Sequence, residues 1–420
     1  MRHTTAWIIS MSAPIVVGID IGTTKVCTIV ARVESDGRVR VLGVGIEPSA
    51  GIRKGTVVDI NAATRAIGHS IDKAERTSGL EITSALVSLA GSHINSVNNR
   101  GAVGIADRVI DHADVARAME VARAVAIPHN REVVHVIQRN FSVDGQDGIA
   151  VPVGMHGYRL EVEAHIITAA ASTVDNLRQC VAESGVGVSQ FVLNPLASAE
   201  AVLTNTEREM GVVICDIGGG TTDMAILIEG EVWHTMVLSV GGNHITSDLA
   251  HGLRLPFSQA EEIKIRYGHC IPAEIEPGGT FSVKAFGDDS QLQINKHEMA
   301  EIIEARVEEI FNLIMQEIKR SGYDGLLPAG LVLTGGSSAL RGLPELASRV
   351  LGMPVRLGQP EKLTGIVDKL QSPAFSTSVG LLKWAVLMSE ANPQTESQNG
   401  HSSVGIDWPK IKEVVKRFLP

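Results

Sequence analysis

The sequence predicts an α/β fold built twice around one ligand cleft, and three features predict it. Val17-Gly18-Ile19-Asp20-Ile21-Gly22-Thr23-Thr24-Lys25 is matched, 196 positions on, by Ile214-Cys215-Asp216-Ile217-Gly218-Gly219-Gly220-Thr221-Thr222-Asp223. Each is an apolar run ending near an Asp, then a Gly-rich turn with hydroxyls, then a second apolar run at 26–33 or 224–228. That is a strand, a tight turn and a returning strand. The third feature, 331–338, is a buried-type strand running into Gly335-Gly336-Ser337.

Glycine accepts positive φ and lets backbone N–H groups crowd around an anion. The candidate phosphate ligands are therefore Gly22, Thr23, Thr24 and Lys25 in the first loop, and Gly218, Gly219, Gly220, Thr221 and Thr222 in the second. Asp20 and Asp216, at the strand ends, are placed to hold a divalent cation through water. Taken alone, either loop is an ordinary hairpin turn. Their repetition implies two related halves with the ligand between them. A nucleoside approaches backbone closely only where side chains are absent, so Gly335, Gly336 and Ser337 suit the adenosine end.

The ordered set of motifs resembles the actin-like ATPase superfamily: a first phosphate loop (18–26), a connecting helix (194–200), a second phosphate loop (215–224), an adenosine motif (332–338) and a final connecting helix (376–386). The resemblance implies two ribonuclease-H-like halves around a nucleotide cleft, with ATP and Mg²⁺ as cofactors.

The composition fits this. At 420 residues there is room for two or three domains, and 44% hydrophobic with 20% charged residues is the make-up of a soluble globular chain. A net charge of −10 argues against nucleic acid as a partner. Cys27, Cys180, Cys215 and Cys270 lack paired spacing and read as core residues of a reducing compartment. No run of 18 apolar residues is present, and the N-terminal segment is too weak for a secretory signal. The fold is expected to begin near Pro14, with Met1 and Met11 both open as starts.

Along the chain, strands at 15–20, 25–33 and 39–46 should form a meander, followed by a helix over 62–77 with Ile67, Ile71 and Ala74 on one face. Together 14–82, 167–194 and 359–388 form subdomain IA. Residues 83–166 read as an inserted α+β module, IC. It has a strand at 85–90, a helix over 112–126 capped by Asp111, and strands at 133–138 and 160–167. Subdomain IIA takes 195–242 and 295–358, including a long helix at 298–319 and another at 340–351. Subdomain IIB takes 243–294. In IIB, Glu261 and Lys264 lie three apart on one helix face. The superfamily resemblance gives this pair to ribose and base. Ser258-x-x-Glu261 also reads as a capping box.

Residues 389–404 are polar with Pro and Gly, a flexible linker reaching roughly 20–25 Å. In the last segment, 405–420, Trp408, Ile411, Val414, Val415, Phe418 and Leu419 share an arc of about 140° at helical spacing. Lys410, Lys412, Lys416 and Arg417, with Glu413, fill the rest, giving 408–420 a charge of +3 on a chain that is otherwise −13. This is the pattern of a basic amphipathic helix lying on a membrane surface. Docking on the chain's own globular part is the alternative.

The inserted module and the tail resemble the FtsA family of bacterial cell-division proteins. The resemblance implies an ATP-binding, self-polymerising protein, peripheral on the cytoplasmic face of the membrane at the septum. Such a protein anchors the FtsZ ring through the FtsZ C-terminal peptide and recruits later division proteins. Arg306, near the start of the long helix, matches the family's peptide-binding Arg. The stretch 287–291 (Gly-Asp-Asp-Ser-Gln) departs from the Arg-Pro-Pro-Arg of many relatives. Asn194 stands where related ATPases carry a water-orienting Glu or Gln, so hydrolysis, if any, should be slow. The alternative is a PilM-like scaffold of type IV pilus assembly, which shares the insertion; a chaperone or kinase of the same superfamily is a further one.

Three helical turns cannot span a bilayer, but four cations add roughly 1 kcal/mol each near an anionic surface. Deleting 405–420, or Trp408→Glu, is expected to leave a soluble, ATP-competent protein that no longer pellets with anionic liposomes. Sedimentation undiminished by the deletion would sink the tether reading.

Overall fold

The computed structural model describes residues 14–34, 36–284 and 291–390. The N-terminal segment before Pro14, the altered stretch at 287–290, most of the linker and the whole amphipathic tail lie outside the described residues. Trp408, Lys410, Ile411, Lys412, Val415, Lys416, Arg417, Phe418 and Leu419 all belong to that tail.

The first half opens with the expected meander. Strands β1 (Ile15–Ile21), β2 (Lys25–Val33) and β3 (Val39–Pro48) pair antiparallel in order. A short hairpin, β4 (Ile52–Arg53) and β5 (Thr56–Val57), leads to helix α1 (Ile60–Ser78). The Asp59 carboxylate caps α1 by accepting from the Ala62 N–H, and Gly79 ends it in the left-handed conformation at φ 71°. Ala63, Ile67, Ile71 and Ala74 form its buried stripe. Strand β6 (Ser84–Leu89) returns parallel to β1.

The apolar run at 85–90, expected to open the inserted module, lies inside the first-half sheet, with Gly18 opposite Leu86 and Ile19 opposite Val87. The insertion follows it: β7 (Asn95–Gly104), α2 (His112–Arg123), β8 (Arg131–Val143), β9 (Gln146–Ile149) and β10 (Arg159–Ala170), forming a four-stranded sheet in the order β7-β10-β8-β9. Asp111 caps α2 with a reciprocal bond to Asp114. The helix stops at Arg123, short of the expected 126. β10 pairs with β8 as far as Ala170, so the inserted sheet runs past 166. The module has its own core of Ile110, Phe141, Leu160, Val162 and Ile166. It also leans on the second half: Ser96 Oγ donates to the Thr235 carbonyl (3.1 Å), and the Arg139 guanidinium lies 4.0 Å from the Trp233 ring centre.

The chain then completes the first sheet through α3 (Ala171–Glu183) and β11 (Gly187–Leu193), and with β19 (Leu363–Gly365) the order is β11-β6-β1-β2-β3-β19. After α4 (Asn194–Val202) and α5 (Asn205–Met210) the plan repeats. Strands β12 (Val212–Ile217), β13 (Thr222–Ile228) and β14 (Glu231–Leu238) form a second antiparallel meander. β17 (Leu331–Thr334) and β18 (Val355–Leu357) add parallel on its other side, giving β14-β13-β12-β17-β18. Read from the meander edge, this is the first sheet's β3-β2-β1-β6-β11 again. Between β14 and β17 come α6 (Gly242–Gly252), α7 (Phe257–Tyr267), the hairpin β15 (Thr280–Lys284)/β16 (Gln291–Asn295) and α8 (Lys296–Ser321). α9 (Leu343–Leu351) follows a short turn of 3₁₀ helix at Gly336–Ala339, so the expected helix at 340–351 starts three residues late.

Two helices join the halves. α4 and the last helix, α10 (Ser376–Glu390), pack against each other, and one apolar core runs from the first sheet through Leu196, Val379 and Leu382 to Ile214 and Ala225 of the second. They cross at Gly380, where an added Cβ would lie 1.8 Å from the Ala197 carbonyl oxygen. Nothing but glycine fits there. Gly380→Ala is therefore expected to lower stability by about 2 kcal/mol or more, read as a shifted urea midpoint. A change below about 0.5 kcal/mol would mean that the helices spread freely.

Candidate functional site

The two repeated turns close in the same way. Gly22 N–H donates to the Lys25 carbonyl and Gly218 N–H to the Thr221 carbonyl, both at 2.9 Å. The turns face each other across a cleft of about 430 Å³. A Cβ on Gly219 would lie 2.4 Å from Thr24 Cγ2, and one on Gly220 would lie 2.6 Å from Thr23 Oγ1. The threonines of one loop thus occupy the room left by the glycines of the other. The second loop has its carbonyls taken from behind: Gly218 O accepts from Gly242 N–H (2.9 Å) and Ser337 Oγ (3.0 Å), and Gly219 O from Asn243 N–H (2.8 Å). In a trans peptide the N–H points opposite its carbonyl, so the N–H groups of Gly219 and Gly220 turn from α6 toward the cleft.

Asp20 and Asp216 are buried at the cleft floor. Asp20 accepts from Ser88 Oγ (3.1 Å), Ser378 Oγ (2.7 Å) and Lys25 Nζ (3.3 Å). Asp216 Oδ2 accepts from Ser198 Oγ (2.5 Å) and Thr377 Oγ1 (2.9 Å). Burial pushes the Asp216 carboxyl up, and the two hydroxyls pull it part of the way back. For Lys25, burial works to depress the ammonium, but the charges beside it, Asp20 foremost, leave its pKa raised.

The adenosine motif arrives beneath Asp216. Gly335 has φ 87°, and a Cβ there would meet Asp216 Oδ1 at 2.3 Å, so both conformation and space require glycine. Gly336 and Ser337 line the cleft beside it. Lys264 Nζ donates to Glu261 Oε2 (2.6 Å), Thr246 Oγ1 (2.8 Å) and the Gly242 carbonyl (3.1 Å), and Thr246 donates to Glu261. Burial lowers the Lys264 pKa against the pull of Glu261. The capping-box reading of Glu261 is overturned, because α7 starts at Phe257 behind Pro256 and no side chain caps it. Glu261 serves Lys264 and the cleft.

Thr222 does not reach the cleft. It is fully buried, and its hydroxyl donates to the Val240 carbonyl (2.8 Å). Successive strand residues face opposite ways, and Thr222 occupies the place that Val26 holds in the first half. Arg306 is outside the cleft lining as well. Its Nε and Nη2 fork onto Asp248 of α6 at 2.5 and 3.0 Å, and its Nη1 reaches Glu309 at 2.5 Å. A partner's carboxylate at Arg306 would have to replace one already there.

The cleft also brings in Asp223, to which the motif reading gives no role. Asp223 stands seven places after Asp216, where the first half has Cys27 seven after Asp20. Its Oδ2 accepts from Thr221 Oγ1 (2.8 Å), while its Oδ1 is buried without a partner. Burial, and then the charge of Asp216, push its pKa well up. Asn194 at the start of α4 also lines the cleft with a buried, unpartnered Oδ1. Two orphaned acceptors call for donors from a bound group or its water. Among the described residues no three His, Cys, Asp or Glu side chains converge as a direct metal-binding set.

Comparison with known proteins agrees with this geometry. Residues 213–380 match the family described as "Cell division protein FtsA", and 91–168 match "SHS2 domain inserted in FTSA". The chain is 42% identical over 410 residues to the cell division protein FtsA of Pseudomonas aeruginosa, covering 97% of this chain and 98% of that one. It is 37% identical over 377 residues to that of Escherichia coli K12, covering 88% and 90%. Among solved structures, a PilM-PilN type IV pilus biogenesis complex superposes with a TM-score of 0.64 at 17% identity (88% of this chain, 98% of that one). MreB5 of Spiroplasma citri bound to AMPPNP does so with 0.56 at 15% (91% and 99%). These two likenesses are of fold: the chain has the actin-like architecture with an inserted α+β domain.

Thr222→Val is expected to cost about 1 kcal/mol of stability, by orphaning the Val240 carbonyl, and to leave nucleotide affinity where it was. Calorimetric titration showing a tenfold loss would return Thr222 to the cleft.

Proposed function

The chain belongs to the FtsA family of cell-division proteins, and from that premise we propose that it binds Mg·ATP, polymerises, and ties the FtsZ ring to the cytoplasmic face of the membrane. The observation that carries the nucleotide half is the pair of loops facing each other across one cleft. Gly22, Thr23, Thr24 and Lys25 on one side and Gly218 to Thr221 on the other would hold the phosphates. Glu261 and Lys264 would meet the ribose and base, and Gly335, Gly336 and Ser337 the adenosine from the other side. Asp20 and Asp216 would hold Mg²⁺ through its water, with Asp223 as a third acceptor. The bound nucleotide supplies a phosphoanhydride bond whose cleavage sets the state of the filament. The chain's own residues favour slow cleavage. The Asn194 amide can orient water but takes no proton.

The membrane half rests on the tail read from the sequence, and the FtsZ half on Arg306. What supports this reading is that the Arg306 guanidinium already holds one carboxylate, that of Asp248, through two nitrogens. The FtsZ C-terminal peptide would exchange one carboxylate for another. Recruitment of later division proteins falls to the inserted domain. The likeness to PilM supports the architecture alone.

The test is reconstitution. With ATP and anionic liposomes the protein should form membrane-bound filaments that retain a fluorescent FtsZ tail peptide. Arg306→Glu should weaken peptide binding at least tenfold and leave ATP titration unchanged. Peptide retained at full affinity by that variant would place the FtsZ site elsewhere.

A further inference from the structure

Three successive residues open α10, and each fastens a different element. Ser376 Oγ lies 2.6 Å from Thr334 Oγ1, at the end of β17. Thr377 Oγ1 donates to Asp216 Oδ2 at 2.9 Å and lies 2.9 Å from Ser198 Oγ of α4. Ser378 Oγ donates to Asp20 Oδ2 at 2.7 Å. All three are buried, at 1%, 6% and 0% exposure. The two aspartates belong to opposite halves, yet adjacent residues of one helical turn hold them.

We propose that Thr377 and Ser378 are positioning residues that fix the two cleft-floor carboxylates relative to each other, so that both meet one hydrated cation at once. The inference rests on the nucleotide reading of the cleft.

The geometry carries it as follows. Asp216 Oδ2 is fully engaged by two hydroxyls on α4 and α10. Its Oδ1 is left over Gly335, where only the missing side chain makes room. The carboxylate is thus held by one edge and offered by the other. Asp20 is held by Ser378 from the same turn, with Ser88 of β6 on its other oxygen. Without the Thr377 donor, Asp216 keeps only Ser198 and is free to rotate about χ2, a soft torsion in Asp. Its charge remains, but its place relative to Asp20 is lost. The aspartates supply the contact; α10 supplies their register.

A positioning role makes a prediction that general damage does not. The quantity to read is the ratio of ATP affinities with Mg²⁺ and with EDTA, by calorimetry on the full chain. Thr377→Val keeps the shape and removes the donor. It should cut that ratio about tenfold, the worth of a hydrogen bond to a charged group. Thr377→Ser keeps the hydroxyl and should restore the ratio. Ser378→Ala, acting on the other aspartate, should cut it likewise. A ratio unchanged in Thr377→Val and Ser378→Ala, while the parent chain shows a clear Mg²⁺ gain, overturns the proposal and leaves the nucleotide reading standing. A parent chain that binds no ATP overturns both. If Thr377→Val fails to fold, Ser378→Ala and Thr377→Ser decide: failure of the serine to restore binding counts against positioning.

Discussion

Two carboxylates are buried where the halves of this molecule meet, and much of the surrounding architecture answers the cost of that burial. Taking a carboxylate out of water costs several kcal/mol unless donors replace the lost hydration. Besides Lys25, Asp20 and Asp216 find theirs on three elements outside their own hairpins: Ser88 on β6, Ser198 on α4, and Thr377 and Ser378 on α10. These elements must therefore arrive at fixed distances. α10 must lie tight on α4, which is why Gly380 has no side chain. β17 must end beside β12, which is why Gly335 has none.

The duplication is close in backbone and broken in charge. Position for position, Lys25 answers to Thr221 and Cys27 to Asp223. The first half brings a cation into the cleft beside its Asp. The second brings an extra carboxyl and a run of bare glycine. Cys27 sits fully buried, its thiol pushed up to about 12 by burial, and contributes packing. The counterpart carboxyl, equally buried, is left with an open acceptor. Duplication supplied the frame, and two exchanged side chains made the halves complementary.

Most of the frame was legible in the sequence because it is written in local chemistry. An Asp before a Gly-rich turn, a Gly-Gly after an apolar strand and Asp111 before a helix all act within a few residues. What escaped depends on distance or direction. The run at 85–90 is a strand by composition, but only its pairing with β1 says which sheet owns it. Ser258 has the Ser-x-x-Glu spacing of a cap, but the helix starts behind Pro256, two residues earlier. Thr222 adjoins Thr221 in the chain and faces the other way in the strand. The repeat itself held that answer, since its first copy has Val26. Ser376, Thr377 and Ser378 give no signal at all, because a hydroxyl at the start of a helix reads as an ordinary cap. Their partners lie between 42 and 358 residues away.

Helix α6 touches both ends of the molecule's business. Its first residues give N–H groups to the second phosphate loop, and six residues on, roughly 9 Å along the axis, Asp248 holds Arg306. A single short helix with a packed flank behaves as a lever without a joint. The distance between the loop carbonyls and the Asp248–Arg306 fork is therefore set by helical rise alone, and no hinge lies between them.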